Sequence, residues 1–256
     1  MPKFKKNYSH IGILSAMPEE VGAILDKLKS VKSSKFGDFE MFTGTYTLKN
    51  LKEVAITTAW SGWGKVSAAR ATTRLLSSNF NSIPVEIALF TGVAGAVDKK
   101  LNQWDIILSD SVMQHDMDAR PLFEKYVIPA IKKREIIPES SLLDFVFNQL
   151  EKDLKKQNLT RFGSLYKGLI ATGDMFISDN DKLDQLSQEI VGLSAVEMEG
   201  AAFAQVAFQE NVDWIVMRVI SDEANENASS DFNKFLNEYK LNSFDLIQSF
   251  LRSLLK

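Results

Sequence analysis

The chain has 256 residues, 45% of them hydrophobic and 25% charged, with a formal net charge of -3. That length and balance suit one large α/β domain or two small ones, and a faintly acidic chain gives no electrostatic case for nucleic acid. The absence of cysteine excludes disulfides, thiolate catalysis and cysteine-ligated metal, and two histidines offer little from which to build a zinc centre.

Residues 1–10, MPKFKKNYSH, are basic and are expected to form a flexible or peripheral N-terminus. The apolar run behind them, 11–16, is too short for the core of a signal peptide, and no stretch approaches the roughly 20 apolar residues of a membrane span. A cytoplasmic protein without a membrane partner is the expectation. IGILSA (11–16) predicts a strand, and Pro18 then opens a predicted helix over 19–29 with Val21, Ile24, Leu25 and Leu28 on one stripe. Residues 39–48 and 53–60 predict a strand pair joined through the polar stretch 49–52. A helix is predicted over 65–77, with Ala68, Ala69, Thr72, Leu75 and Leu76 inward. Strands follow at 85–92, 104–110 and 168–174, and a helix at 141–155. A small-residue helix at 200–208 and the strongest strand candidate, 214–220, lead to a final helix with Phe244, Ile247, Leu251 and Leu254 on one stripe. No internal repeat, low-complexity tract or linker is present, so a single domain is expected over 1–256. The least regular region, 120–139, holds three prolines and reads as a long functional or interface loop.

Three carboxylates stand where predicted elements end. Glu197 and Glu199 close a short apolar run before the small-residue helix, and Asp222 follows the strand at 214–220. Acids at strand ends of an α/β sheet tend to face the ligand crevice. Other motifs fail. SGWGK (61–65) lacks the GxxxxGK spacing and the following Ser or Thr of a phosphate loop, so a tight strand-to-helix turn is the better reading. TGVAGA (91–96) offers GxxG rather than GxGxxG, but its small residues let a ligand approach backbone amides at Val93, Ala94 and Gly95. HDMD (115–118) could hold metal ligands, yet no other histidine lies near in sequence, so structural hydrogen bonding is favoured and no metal is assigned.

Taken together, SAMPEE (15–20), SGWGK, TGVAGA, TGDMFI (172–177), VEMEG (196–200) and ISDEA (220–224) run in the order and spacing of a known enzyme group. The chain resembles the 5'-methylthioadenosine/S-adenosylhomocysteine nucleosidases of the nucleoside phosphorylase superfamily, from about residue 11 to the C-terminal helix. The resemblance implies a three-layer α/β/α sandwich around a central mixed β-sheet, nucleoside phosphorylase-like, assembled as a homodimer. It also implies hydrolysis of the N-glycosidic bond of 5'-thio-adenine nucleosides, releasing adenine and a thioribose in methionine salvage, with no cofactor.

Cleaving an N-glycosidic bond passes through an oxocarbenium-like state, so one acid must protonate the departing base and one carboxylate must activate water. By resemblance, Asp222 protonates adenine at N7, Ser221 orients it, and Glu20 positions and deprotonates the water. Glu199 accepts hydrogen bonds from the ribose hydroxyls. Phe176 stacks on adenine, the Ile177 backbone reads the purine edge, and Met198 packs beneath the ribose. Met17 and Phe232 line the 5'-alkylthio side, where a soft thioether suits methionine. Glu197, two residues from Glu199 in an extended segment, is expected to point the other way, as a structural or purine-side contact. Val93 replaces a serine common in the family, and Pro18 and the 118–129 segment also depart from its pattern. Three rivals share these residues: a purine nucleoside phosphorylase, a hydrolase of futalosine or 5'-deoxyadenosine, and a non-catalytic nucleoside-binding protein. The first strand ends in two acids with no arginine, which disfavours phosphate.

Overall fold

In the computed structural model, residues 7–48, 52–224 and 228–254 are described. Most of residues 1–10, residues 49–51 of the polar stretch and Asn225, which follows the DEA of the last motif, lie outside them. Strands β1 (His10–Ser15), β2 (Lys29–Phe36), β3 (Phe39–Thr47) and β4 (Glu53–Trp60) precede helix α1 (Lys65–Leu76). A two-residue hairpin, β5 (Asn79–Phe80) and β6 (Ile83–Pro84), leads to β7 (Ile87–Ala96), β8 (Ile106–Gln114) and the short β9 (Glu135–Ile136). Then come α2 (Ser140–Lys155), β10 (Leu165–Thr172), α3 (Asn180–Glu189), β11 (Leu193–Glu197), α4 (Gly200–Gln209), β12 (Asp213–Asp222) and α5 (Ala228–Leu254).

Nine strands form one mixed sheet in the order β11-β10-β8-β12-β7-β1-β4-β3-β2, with β9 added beside β8. Parallel pairs join β1 to β4 and β7, and β7 to β12, whereas β8 runs antiparallel to β12. The alternation of side chains along these strands divides the core. On β12, Ile215, Met217 and Val219 join one apolar cluster with α2 and α5 residues such as Val146 and Ile247. Trp214, Val216 and Ile220 join the other, with Ala68, Ala71 and Leu75 of α1 and the alanines of α4. Helices on both faces of a mixed sheet give the expected three-layer sandwich. The small residues of GAAFAQVAFQ let α4 lie close to the sheet; a Cβ on Gly200 would come 3.1 Å from Val216.

One irregularity of the sheet builds the site. β11 pairs antiparallel with β7 for two residues only, Ala195 with Ala96 and Val196 with Gly95. The two strands meet through their carboxyl ends, closing a circuit of β7, β12, β8, β10 and β11. The carboxyl ends of β7, β11 and β12 therefore converge.

Several elements differ from the sequence expectation. The helix predicted over 19–29 is two 3-10 turns, Pro18–Glu20 and Leu25–Lys27. Gly22 lies between them with φ 54°, and α5 packs so closely that a Cβ there would come 2.6 Å from the Ser243 hydroxyl oxygen. Val21, Ile24 and Leu28 are buried all the same. On α1 it is Ala71, not Ala69, that turns inward. The N-terminus is peripheral only in part: Tyr8 is buried and donates to Asp213 Oδ2 at 3.0 Å, and His10 opens β1 with its ring bonded to Thr57 and to the Ile83 carbonyl. Strand β2 (KSVKSSKF) is exposed along nearly all its length and is a lysine-studded edge, so no apolar alternation announced it.

Candidate active site

The carboxyl ends of the strands surround an open cavity of about 570 Å³. Every residue expected at the site lines it. The first strand and its 3-10 turn supply Met17 and Glu20, and β7 supplies Val93, Ala94 and Gly95. The segment after β10 supplies Phe176 and Ile177, and the end of β11 supplies Glu197, Met198 and Glu199. Ser221 and Asp222 come from β12, and Phe232 from α5. The sequence reading missed Trp63 and Met175, which also face the cavity.

Glu20 is buried and held from three sides. Its Oε2 accepts from the Ala16 and Met17 amides at 2.8 and 2.9 Å, and its Oε1 from the Val93 amide at 3.0 Å. Burial raises its pKa, while the nearby Arg218 cation and these amides oppose the rise. Gly92 makes this possible: a Cβ there would lie 2.3 Å from Glu20 Oε1 and 2.4 Å from Arg218 Nη1. TGVAGA is thus the end of a strand, not a ligand loop, and its Val93 amide is spent on Glu20. The glycines serve the acids. Gly95 likewise leaves room for Asp222, whose Oδ1 would stand 3.0 Å from a Cβ there.

Asp222 sits after a bulge. β12 pairs Ile220 with Ala94 but Asp222 with Gly95, so Ser221 is the extra residue that re-aims the acid. The Ser221 hydroxyl donates to Asp222 Oδ2 at 2.6 Å, and the Ala224 amide donates to Oδ1 at 2.8 Å.

Glu197 does not turn away from Glu199, as strict alternation would require. β11 ends at Glu197 and the chain bends through Met198 and Glu199, so the period of two stops there. Both carboxylates converge on Arg218, a fully buried cation of β12 that the sequence reading gave no role. Arg218 Nη2 bonds Glu197 Oε2 and lies 3.5 Å from Glu199 Oε2; its Nη1 donates to the Thr91 carbonyl at 3.3 Å, and its guanidinium lies over the Phe90 ring. Glu197 also accepts from the Thr172 hydroxyl and from the Glu199 and Gly200 amides at the start of α4. Its carboxylate is thus held by Thr172, Arg218 and the start of α4 while it lines the cavity, an anchor of the cavity floor in keeping with the structural side of the expected role. Glu199 keeps fewer partners, with Oε1 accepting from the Gly64 amide at 2.9 Å. Burial, then the neighbouring Glu197, push its pKa up to about 8, with Arg218 pulling the other way.

The opposite wall is aromatic. Phe176 meets Phe232 edge-on at 6.0 Å and 80°, and Phe232 meets Trp63 edge-on at 6.2 Å and 89°. SGWGK forms the tight turn expected, with Gly62 at φ 79° and Gly64 at φ 92° on either side of Trp63. The HDMD segment behaves as a hydrogen-bonding element. Asp116 pairs with Lys65 at 2.5 Å and accepts from the Asp174 amide, and Asp118 pairs with Arg120. Among the described residues no group of three or more His, Cys, Asp or Glu is placed to hold a metal.

A buried acid pair at strand ends, a third acid on a bulge and an aromatic wall meet in one cavity at the carboxyl ends of the sheet, the place of the ligand site in an α/β protein. The family comparison agrees: residues 10–252 match the Phosphorylase superfamily. Over 244 residues the chain is 34% identical to the 5'-methylthioadenosine/S-adenosylhomocysteine nucleosidase of Staphylococcus aureus (strain JH9), covering 95% of this chain and 100% of the relative. The nucleosidase of Colwellia psychrerythraea, solved in complex with adenine, superposes with a TM-score of 0.84 at 30% identity over 98% of each chain. Futalosine hydrolase of Helicobacter pylori superposes with a TM-score of 0.81 at 31% identity, over 96% of this chain and 98% of that one. The chain belongs to the phosphorylase superfamily and, within it, to the 5'-methylthioadenosine/S-adenosylhomocysteine nucleosidases.

Proposed function

We propose that the protein hydrolyses the N-glycosidic bond of 5'-thio-adenine nucleosides, releasing adenine and a thioribose. The observation that carries this reading is the charge of the cavity. The ionisable residues described along its wall are Glu20, Glu197, Glu199 and Asp222, all acids. Arg218, the cation beneath them, is fully buried and already paired. A phosphorylase must hold a phosphate dianion with cationic or amide donors. Here the amides of Val93 and Gly64 are given to carboxylates, so water is the nucleophile this site suits.

In this reading the adenine lies between Phe176 and the Asp222 carboxyl, with the Ile177 backbone along its edge. Asp222 delivers a proton to N7 as the bond to the anomeric carbon lengthens, and Ser221 holds it in place. Glu20, fixed by three amides, takes a proton from the attacking water; its raised pKa makes it a stronger base than an exposed carboxylate. Glu199 accepts hydrogen bonds from the ribose hydroxyls, Met198 supports the sugar, and Val93, Ala94 and Gly95 close the side nearest the water. Met17 and Phe232 receive the 5'-thio group.

The same proposal takes the chain as one domain acting in the cytoplasm as a homodimer. Among the described residues no helix is long and apolar enough to cross a membrane. Val66 and Met175 are exposed beside the Lys65–Asp116–Asp174 bonds, and Leu122 is exposed further along the same loop; such apolar exposure suits a partner copy.

The test is base release from methylthioadenosine, S-adenosylhomocysteine, 5'-deoxyadenosine, adenosine, inosine and futalosine, with and without phosphate. Adenine release from the thio substrates without phosphate is expected. A strict need for phosphate would make the protein a phosphorylase, and binding without any turnover would make it a receptor.

A further inference from the structure

Asp174 carries a carboxylate that the proposed reaction does not use, and it stands where three segments of the chain meet. It belongs to the stretch after β10 that brings Phe176 and Ile177 to the cavity. Its Oδ1 accepts from the Lys65 amide at 2.7 Å, and its own amide donates to Asp116 Oδ2 at 3.0 Å. Asp116 pairs in turn with Lys65 Nζ at 2.5 Å. Two carboxylates thus tie together the turn between β4 and α1, the segment after β8 and the stretch after β10. The neighbouring amide of that turn, Gly64, donates to Glu199 Oε1 at 2.9 Å. Among the described residues it is the one backbone amide bonded to the Glu199 carboxylate, whose other partner is Arg218 at 3.5 Å. Two successive amides are therefore divided between two acids from distant segments. Gly64 has no side chain with which to hold the turn, and its φ of 92° and the 3.0 Å between a Cβ there and Asp174 Oδ1 both favour glycine.

We infer that Asp174 is a positioning residue for Glu199: by holding the Lys65 amide it aims the Gly64 amide at the Glu199 carboxylate and keeps that carboxylate in place for the substrate. This rests on the nucleosidase reading, in which Glu199 receives the ribose hydroxyls. Without Asp174 Oδ1 the Lys65 amide turns to water, and the Gly64 peptide is no longer fixed. Glu199 then keeps the longer contact to Arg218 while facing two like charges, Glu197 and Glu20. The Gly64 amide also helps hold down a Glu199 pKa that burial and Glu197 push up to about 8, so its loss raises that pKa further. The charged groups facing Asp174 are Lys65 and Asp116, and the His115 ring packs against Gly173 beside it. The pKa values of Asp116 and His115 are lowered from 3.8 and 6.5, away from the alkaline range of Glu199. The bond from the Asp174 amide to Asp116 does not depend on the Asp174 side chain, so the stretch carrying Phe176 keeps its anchor when that side chain is changed.

The experiment compares wild type, D174A and D174N, and places D174A in a double-mutant cycle with E199Q. D174A should raise KM for methylthioadenosine about 10-fold, the scale of one hydrogen bond to a charged group, with kcat changed less than about threefold. D174N, whose amide oxygen still accepts from Lys65, should recover most of the loss. The cycle is read as dissociation constants of methylthioadenosine by calorimetry on a D222N background, where turnover is suppressed; in E199Q the D174A change should add less than about twofold. In the ligand-free protein, the fall of Tm with rising pH should move up by about half a unit or more in D174A, the direction of a Glu199 pKa raised further. Circular dichroism confirms that the variants fold. Independent losses in the cycle, a D174N as impaired as D174A, an unchanged KM, or a Tm lowered equally at every pH would each overturn the inference while leaving the nucleosidase reading intact. Absence of adenine release from every nucleoside would instead overturn that reading, and the Tm measurement, which needs no substrate, would still test the bond from the turn to Glu199.

Discussion

The floor and the mouth of one cavity are built in opposite ways. On the floor, Glu20, Glu197 and Glu199 are buried around Arg218, and each carboxylate oxygen has a named donor or cation. At the mouth, Trp63, Phe176 and Phe232 touch only through ring edges and remain partly open. Buried charge without a partner is expensive, so the floor admits one arrangement; apolar rings tolerate many. The floor should therefore fix which bond is broken, and the mouth should fix which nucleoside presents it.

Substitutions can break this division, and the largest effect belongs to the cation. Arg218→Met leaves two or three buried acids uncompensated and should cost about 3–5 kcal/mol of stability, read by urea denaturation. If it costs no more than a surface change, the floor is not held by that charge. Glu20→Gln and Asp222→Asn should each lower kcat by at least about 10²-fold on every substrate, the usual scale of general acid-base catalysis, with folding intact by circular dichroism. Near-normal rates in both would remove the assigned chemistry. Ser221→Ala removes one hydrogen bond from Asp222 and should lower kcat by about five- to tenfold, corresponding to roughly 1 kcal/mol, without changing the preference among 5'-substituents.

The smallest effect is a pH dependence. The folded pKa of Glu199, raised to about 8, lies above its ordinary value of 4.5, so the folded state holds a proton that the unfolded chain releases. Its contribution to stability is full below about pH 4.5 and is lost as the pH rises through about 8. His10 and His115, lowered by burial, act in the opposite sense and mainly below their ordinary value of 6.5. Between pH 7 and 8.5, Tm of the ligand-free protein should therefore fall more steeply in the wild type than in Glu199→Gln. Parallel slopes would show that Glu199 does not titrate there.

Much of this site was legible because its chemistry is written in short motifs at strand ends. Glu199 and Asp222 stood at the ends of predicted elements in VEMEG and ISDEA, and the family resemblance added Glu20 from SAMPEE; all three reach one cavity. What could not be read was pairing. Arg218 lies in an apolar strand, and only the fold shows that its neighbours are acids; a lone arginine at an interior strand position was the available signal. Glu197 was misplaced because alternation was carried past the last residue of β11. The role of Gly92 depends on a clash between side chains from two other strands, which no local pattern carries. Among the elements, α1, β4 and α2 follow apolar periodicity and were found within a residue or two. α3, with Leu186 its single buried residue, and β2, with none, lacked that signal. The turns at 18–27 failed as a helix because Gly22 yields to the packing of α5.

The most direct measurement is turnover of methylthioadenosine in ¹⁸O-labelled water with phosphate present. The floor described here predicts free sugar carrying the label at its anomeric hydroxyl, with no sugar phosphate formed. Unlabelled sugar 1-phosphate as the product would contradict it.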